Sequence, residues 1–361
     1  MSEIKPMNEL TIIRPDDWHL HLRDAEMMRA VLPFTAELYG RAIIMPNLRP
    51  PIRTVKDAAA YRQRILGCLP SGHGFEPLMT LYLMDETPPG EIRAAKTAGL
   101  LAAVKLYPAG ATTNSEQGVT DIKKVYRVLE AMQELAIPLS IHGEISDPEV
   151  DIFDREAVFI DRALDPLRKD FPQLKIILEH VTSKTGVDYV LAASNGLVAT
   201  VTPHHLLIDR NRIFAGGLNP HMYCLPVAKR KADRLAVRQA AVSGDPHFFF
   251  GSDSAPHRMI DKEKAGGAAG IFNMPVAMAC IAQVFEAEEA LDNLEAFMSL
   301  NGARFYGLAA NPDRITLQKA ESSISAIDHI IVGENQVKVF IPPETLYWQV
   351  VKGLRKTVKR R

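Results

Sequence analysis

Cysteine is scarce in this chain of 361 residues. There are three, Cys68, Cys224 and Cys280, odd in number, far apart and never in a CxxC pair. That excludes a disulfide framework and a cysteine zinc knuckle. Net charge is equally scarce: 42 Lys and Arg against 43 Asp and Glu leave −1, so no general field draws nucleic acid and only a local patch could. The densest patch is KGLRKTVKRR at 352–361, six basic residues in ten. It reads as a solvated terminal tail ahead of a contact for an acidic partner. Long apolar runs are missing too. MSEIKPMNEL lacks the basic-then-apolar pattern of a secretion signal, and the stretch from Ala268 to Phe285 is broken by Asn273, Pro275 and Gln283. The expectation is a cytoplasmic protein with neither membrane nor nucleic-acid partner.

With 47% hydrophobic and 24% charged residues the chain can bury a large core, as one extended α/β barrel or as two ordinary domains. Strand-like apolar segments recur, separated by stretches of helical periodicity. In order they are TIIRPDDWHLHLR, RAIIMPN, PLMTLYLM, LLAAVKLYP, PLSIHGE, KIILEHV, LVATVTPHHLL and HFFFGSDSAP. Eight strands joined mostly by crossover-length helices favour a closed parallel (β/α)8 barrel of the TIM type over an open sheet. The expected organisation is one barrel domain over 1–361 with terminal extensions.

Nearly every strand candidate turns polar at its C-terminal end, where barrel enzymes build their sites. Six residues stand out there: His19, His21, Lys105, His142, His180 and Asp253. In DWHLHLRD, His19 and His21 are two apart on one strand face, so both imidazoles can meet one metal, and Arg23 continues that side. Each residue alone has an ordinary reading: a wet strand face for HxH, core or surface for His142 and His180, a turn cap for Asp253, a snorkelling side chain for Lys105. Together they point to a metal site, since burying several imidazoles near an axis without ligand or charge costs desolvation with no return. An ammonium cannot bind a metal, but CO2 added to a neutral lysine amine gives a carbamate with two oxygen ligands.

DWHLHLRD, MPN at 45–47, KLYPAGATTNS at 105–115, IHGE at 141–144, LEH at 178–180, NPHMYCLP at 219–226 and GSDSAPH at 251–257 resemble the short, bacterial-type dihydroorotases of the amidohydrolase superfamily. The resemblance covers almost the whole chain. It implies reversible cyclisation of N-carbamoyl-L-aspartate to dihydroorotate in pyrimidine biosynthesis, by a homodimer of such barrels with two zinc ions per subunit bridged by a carbamylated Lys105. On this resemblance His19, His21, Lys105 and Asp253 hold one ion, and Lys105, His142 and His180 the other. Asp253 is also the catalytic acid–base. Arg23, Asn47 and His257 hold the substrate carboxylate, backbone at Leu225 and Ala269 meets the ring amide, and Thr112 and Thr113 tip a closing loop. Relatives acting on hydantoins share barrel and metals but need no carboxylate clamp; a non-enzymatic scaffold would be expected to lack some of the six ligands.

Overall fold

Eight short apolar runs become eight parallel strands, buried on both faces because helices cover the outside and side chains fill the inside. The computed structural model describes residues 8–193 and 196–351, so the basic run at 352–361 lies outside the described residues. After β1 (Glu9–Ile13) come the barrel strands β2 (Asp17–Leu20), β3 (Arg41–Ile44), β4 (Glu76–Tyr82), β5 (Leu101–Leu106), β6 (Leu139–Ile141), β7 (Ile176–Leu178), β8 (Leu197–Val201) and β9 (Phe248–Phe250). Their spatial order is their chain order, all parallel. This is the (β/α)8 barrel expected from the strand count. Among the described residues no helix is long and apolar enough to cross a membrane.

The stretch TIIRPDDWHLHLR, expected as one strand, is two. Pro15 has no amide hydrogen for a ladder, and the chain changes sheet around it. Beyond the barrel lie β10 (Arg314–Lys319), a hairpin of β11 (His329–Val332) and β12 (Asn335–Lys338), and β13 (Trp348–Val351). β1 pairs antiparallel with β10, and β10 with β13. This second sheet ties the first described strand to the last.

The crossovers are helical for local reasons. Thr54 accepts from the Asp57 amide while the Asp57 carboxylate accepts from the Thr54 amide, a reciprocal cap that starts the helix Val55–Gly67. Ala58, Tyr61 and Ile65 then fall on its buried face. Burial of Ile65 alone contributes roughly 1.5–3 kcal/mol, and truncating it to alanine would cost about 2–5 kcal/mol.

Strand alternation sets what lies inside the barrel. Trp18, Ile43, Met45, Ile177, Val198 and Phe249 form one apolar cluster. Their strand neighbours Ala42, Ile44, Ile176, Leu178, Leu197, Ala199, Phe248 and Phe250 belong to the layer between strands and helices. Two residues on from Ile177 and Val198 come Glu179 and Thr200; four on from Phe249 comes Asp253; Lys105 stands between the outward Val104 and Leu106. The inner face therefore changes from apolar plug to polar site within one strand step. At β2 the register slips between Asp17 and Leu20. Trp18 joins the plug while Leu20 and Leu22 face outward, leaving His19 and His21 to face in.

The barrel closes without a regular ladder between β2 and β9. A bridge links Leu20 to Ser254, the Asp253 amide donates to the His19 carbonyl at 2.9 Å, and the His21 amide donates to the Ser254 carbonyl at 3.2 Å. The buried Asp17 carboxylate accepts from the Ser252 amide at 2.8 Å and from its hydroxyl at 2.6 Å.

Candidate active site

The strand ends deliver a tight triangle of ligand atoms. His19 Nε2 and His21 Nε2 are 3.3 Å apart, and Asp253 Oδ1 lies 3.3 Å from the first and 3.1 Å from the second. Two nitrogens and an oxygen at about 2.0–2.2 Å from one zinc need that spacing. The triangle is braced from behind. His19 Nδ1 donates to Glu179 Oε2 at 2.8 Å, which leaves Nε2 free to face inward, and Glu179 also accepts from the hydroxyls of Ser140 and Thr200, each at 2.5 Å. Gly251, beneath, admits no side chain: a Cβ there would stand 2.9 Å from Thr200 Cβ and 3.0 Å from His19 Cβ.

The ring of His180 continues the row, its centroid 5.1 Å from that of His19 and 4.8 Å from that of His142. His142 Nε2 donates to Glu144 Oε2 at 2.8 Å, with the Lys229 ammonium 3.9 Å from the other carboxylate oxygen. Burial alone would raise the Glu144 and Glu179 carboxyls. For Glu144 the bond to His142 and the charge of Lys229 outweigh it; for Glu179 His19 and Lys105 do; both are held low. Asp253 follows the same pattern: burial pushes it up, His19 and His21 beside it push further down, and it sits well below the usual carboxylate range. Burial pushes the His21 imidazole down to about 4 and the Lys105 ammonium down to about 8, the latter against the pull of Glu179 and Asp253.

Lys105 is fully buried, and its Nζ, like His21 Nδ1 and His180 Nδ1, has no hydrogen-bond partner. Each such atom costs roughly 1–3 kcal/mol if left unmet. Four imidazoles, a carboxylate and an unpartnered amine in one buried pocket are a donor set that zinc or another borderline divalent ion accepts, so the residues fit a metal centre.

The rim is built differently, from loops. Arg23 Nε donates to the Pro256 carbonyl at 3.2 Å, and Arg23 Nη2 lies 2.9 Å from His257 Nε2. That same nitrogen is 2.9 Å from the Ala269 carbonyl. It can accept from the arginine or donate to the carbonyl, not both at once. The loop after β5 reaches over to this corner. Thr113 Oγ1 donates to the Ala269 carbonyl at 3.1 Å, and Asn47 Nδ2 donates to the Thr113 carbonyl at 3.0 Å. Asn114 returns a bond to the Asn47 carbonyl at 2.9 Å. An open cavity of about 710 Å³ has Arg23, Thr113, Asn114, Pro256, His257 and Ala268 in its wall.

Arg23, Asn47, Thr113, His257 and Ala269 are thus joined by hydrogen bonds. Thr112 instead bonds within its loop, its amide donating to Ser115 Oγ at 2.8 Å. Leu225 arrives on a separate segment, which the Gly270 amide ties to the Ala269 side by donating to the Tyr223 carbonyl at 3.1 Å. That segment is also held from below: His205 Nε2 donates to the Pro226 carbonyl at 3.0 Å and Cys224 Sγ donates to it at 3.2 Å. His204, His205 and Cys224 form a second buried His/Cys group, with His204 Nδ1 accepting from Asn273 at 3.0 Å.

Arg23, His180 and Asp253 have φ of 59°, 42° and 43°. Side chains rarely occupy this left-handed region, and such strain gathers at functional sites. At His180 it has a visible purpose. Alternation from Ile177 turns Glu179 inward and would turn His180 outward; the positive φ brings both into the site. Glu144 and Glu179 escape a reading aimed at ligands, although each lies two residues from an inward-facing residue, His142 or Ile177, and that spacing is the signal that finds them.

The amidohydrolase family model matches residues 11–320. A dihydroorotase from Rhizobium etli is 56% identical over 344 residues, covering 95% of this chain and 99% of its own. Among solved structures, dihydroorotase from Saccharomyces cerevisiae in complex with 5-fluoroorotic acid superposes with a TM-score of 0.87 at 36% identity, covering 96% of this chain and 99% of that one. Dihydroorotase from Campylobacter jejuni gives 0.86 at 37% identity over 97% and 99%. The chain belongs to the amidohydrolase family and, within it, to the dihydroorotases, hydrolases of a cyclic amide.

Proposed function

We propose that this site interconverts dihydroorotate and N-carbamoyl-L-aspartate with two zinc ions bridged by N6-carboxylysine at Lys105. One ion would be held by His19, His21, Lys105 and Asp253, the other by Lys105, His142 and His180. The observation that carries the reading is one carboxylate, Asp253, within 3.3 Å of both His19 and His21, in the same pocket as a buried, unpartnered lysine. When bound, the ions supply Lewis acidity, lowering the pKa of the attacking water and drawing charge from the ring carbonyl.

Lys105 is a suitable amine for the bridge. Burial pushes its ammonium down to about 8, so a neutral fraction is present near pH 7. Addition of CO2 forms an N–C bond, releases a proton and leaves two carbamate oxygens to bind metal.

The remaining roles belong to the chain. Arg23 grips the substrate carboxylate with its planar fork. That anion takes the place of His257 on the guanidinium, and His257 Nε2 is then free to donate; Asn47 adds a directed donor. Backbone groups at Leu225 and Ala269 meet the ring amide, and Thr112 and Thr113 close the loop over it. Asp253 accepts the proton of the attacking water and delivers it to the ring nitrogen as the C–N bond breaks. In ring closure the same carboxyl returns the proton to the departing oxygen. The 5-fluoroorotic acid bound to the yeast relative supports a ring acid as the ligand. The reading takes the protein as a cytoplasmic homodimer acting on these small molecules, with no nucleic-acid or membrane partner.

The test is ring opening of dihydroorotate and of hydantoin, measured side by side with metal content. Two zinc ions per chain and a strong preference for dihydroorotate are expected. Equal turnover of both rings, or full activity after the metal is stripped, overturns the proposal.

A further inference from the structure

Lys262 is a buried cation that the chemistry above does not use. It closes the short helix Met259–Lys262 and is 5% exposed. Among the described residues no carboxylate lies within ion-pairing distance of it. Its Nζ instead donates to three main-chain carbonyls, Tyr223 at 3.0 Å, Ala268 at 3.0 Å and Gly270 at 2.5 Å. An ammonium has three donors, and all three are spent on backbone.

These carbonyls belong to the two segments that carry Leu225 and Ala269. The carbonyls around Ala269 alternate in direction. Those of Ala268 and Gly270 point to Lys262, while that of Ala269 points to the rim, where it contacts His257 at 2.9 Å and Thr113 at 3.1 Å. In a trans peptide the N–H is opposed to its carbonyl. With the Ala268 carbonyl turned to Lys262, the Ala269 N–H therefore turns away from it, toward the side the rim occupies. The third bond, to Tyr223, holds the Leu225 segment at the same spacing, and the Gly270 amide shares that acceptor at 3.1 Å. An apolar residue could fill this space but could not orient three peptide planes from two segments.

We infer that Lys262 is a positioning residue for substrate, setting from behind the backbone groups of Leu225 and Ala269 that receive the ring amide. The inference rests on the ring-amide assignment made above. It separates Lys262 from Arg23: one serves the amide, which every cyclic substrate has, and the other serves the carboxylate, which only some have.

The test compares the full-length, metal-loaded protein with Lys262→Met and Lys262→Arg, measuring zinc content, kcat and KM for dihydroorotate and for hydantoin, and Kd for 5-fluoroorotate. For Lys262→Met, zinc stays at the parent level, kcat changes little, and KM and Kd rise roughly 10-fold to 100-fold, the scale of lost bonds to a charged donor. The KM for hydantoin rises by a similar factor. Lys262→Arg, which keeps charge and donors in another geometry, recovers part of the loss. KM and Kd within twofold of the parent in a folded Lys262→Met protein would overturn the inference, as would a loss explained wholly by missing zinc. If Lys262→Met does not fold, Lys262→Gln, which keeps two donors, replaces it and is judged by the same KM and Kd criteria. A parent protein that neither turns over dihydroorotate nor binds 5-fluoroorotate fails at the earlier step, the assignment of substrate, and removes the inference with it.

Discussion

The metal pocket and the rim lie side by side at the same end of the barrel but are made of different material. In the pocket, side chains from strand ends are pinned by buried carboxylates: Glu179 behind His19 and Glu144 behind His142. At the rim, Arg23, Asn47, Thr113 and His257 are held mainly by main-chain carbonyls on loops. The difference teaches where each kind of precision comes from. Groups at the strand ends take their positions from the barrel backbone and from buried partners; loops suit groups that must let a substrate in and out.

Removing Lys105, the ligand proposed to be shared by both metals, tests the pocket hardest. Lys105→Ala is expected to lower kcat/KM by roughly 10³-fold or more, for charged and uncharged rings alike. Zinc content should fall with it. Full activity with two tightly held zinc ions in this variant would remove Lys105 from the pocket's chemistry.

Arg23→Met probes the rim and should leave zinc intact. Loss of a charge-assisted pair is worth roughly 2–5 kcal/mol, about 30-fold to several thousand-fold in kcat/KM for dihydroorotate. Hydantoin turnover should barely change. An equal loss on both rings would merge the two regions into one functional unit.

The backing of the pocket is tested by Glu179→Gln, which keeps shape but weakens the acceptor for His19. Zinc affinity or turnover should drop roughly 10-fold to 100-fold, as read by competition with a chelator. No change would mean that strand geometry alone orients His19.

The smallest effect is graded with pH. Burial pushes the imidazoles of His21 and His205 down to about 4, and lowers those of His180, His204 and His257. The unfolded chain takes up these protons near 6.5 while the folded chain resists. Their contribution to stability is therefore present above about pH 6.5 and is lost as pH falls through 4. The lowered carboxyls of Asp253, Glu179 and Glu144 act in the same sense at lower pH. Asp17, which burial pushes up to about 7, opposes them: its contribution is full below the ordinary value of 3.8 and is lost as pH rises through 7. Metal-free protein should therefore melt at progressively lower temperature from pH 6.5 to pH 4. A melting point that rose over this range would show that Asp17 outweighs the histidines.

The contrast between the two regions also explains what could be read from residues alone. Apolar runs of strand length, each ending in a polar residue, made the barrel and its ligand face legible, because an inward position recurs every second residue. That rule covers His19, His21, Lys105, His142 and Asp253, and it would have found Glu144 and Glu179. It gives the wrong face for His180, which needs a φ of 42° to reach the site. It also says nothing of Pro15 dividing one apolar stretch between two sheets, since the partner strand β10 lies some three hundred residues away. The rim has no period. The roles proposed for Leu225 and Ala269 are backbone ones, of which their side chains carry no trace, and family resemblance was the route to them. Lys262 carried a charge but no pattern, and only the carbonyls around it reveal its work.

The seam of the barrel has a consequence for how the protein is made. His19 and His21 stand on one side of the closure and Asp253 on the other, joined across it by bonds between residues as much as 235 positions apart. During synthesis the early histidines leave the ribosome long before the aspartate exists. On the proposed assignment, an ion held by all three would clasp the first barrel strand to the last, so that the catalytic centre would also be a fastening of the sheet.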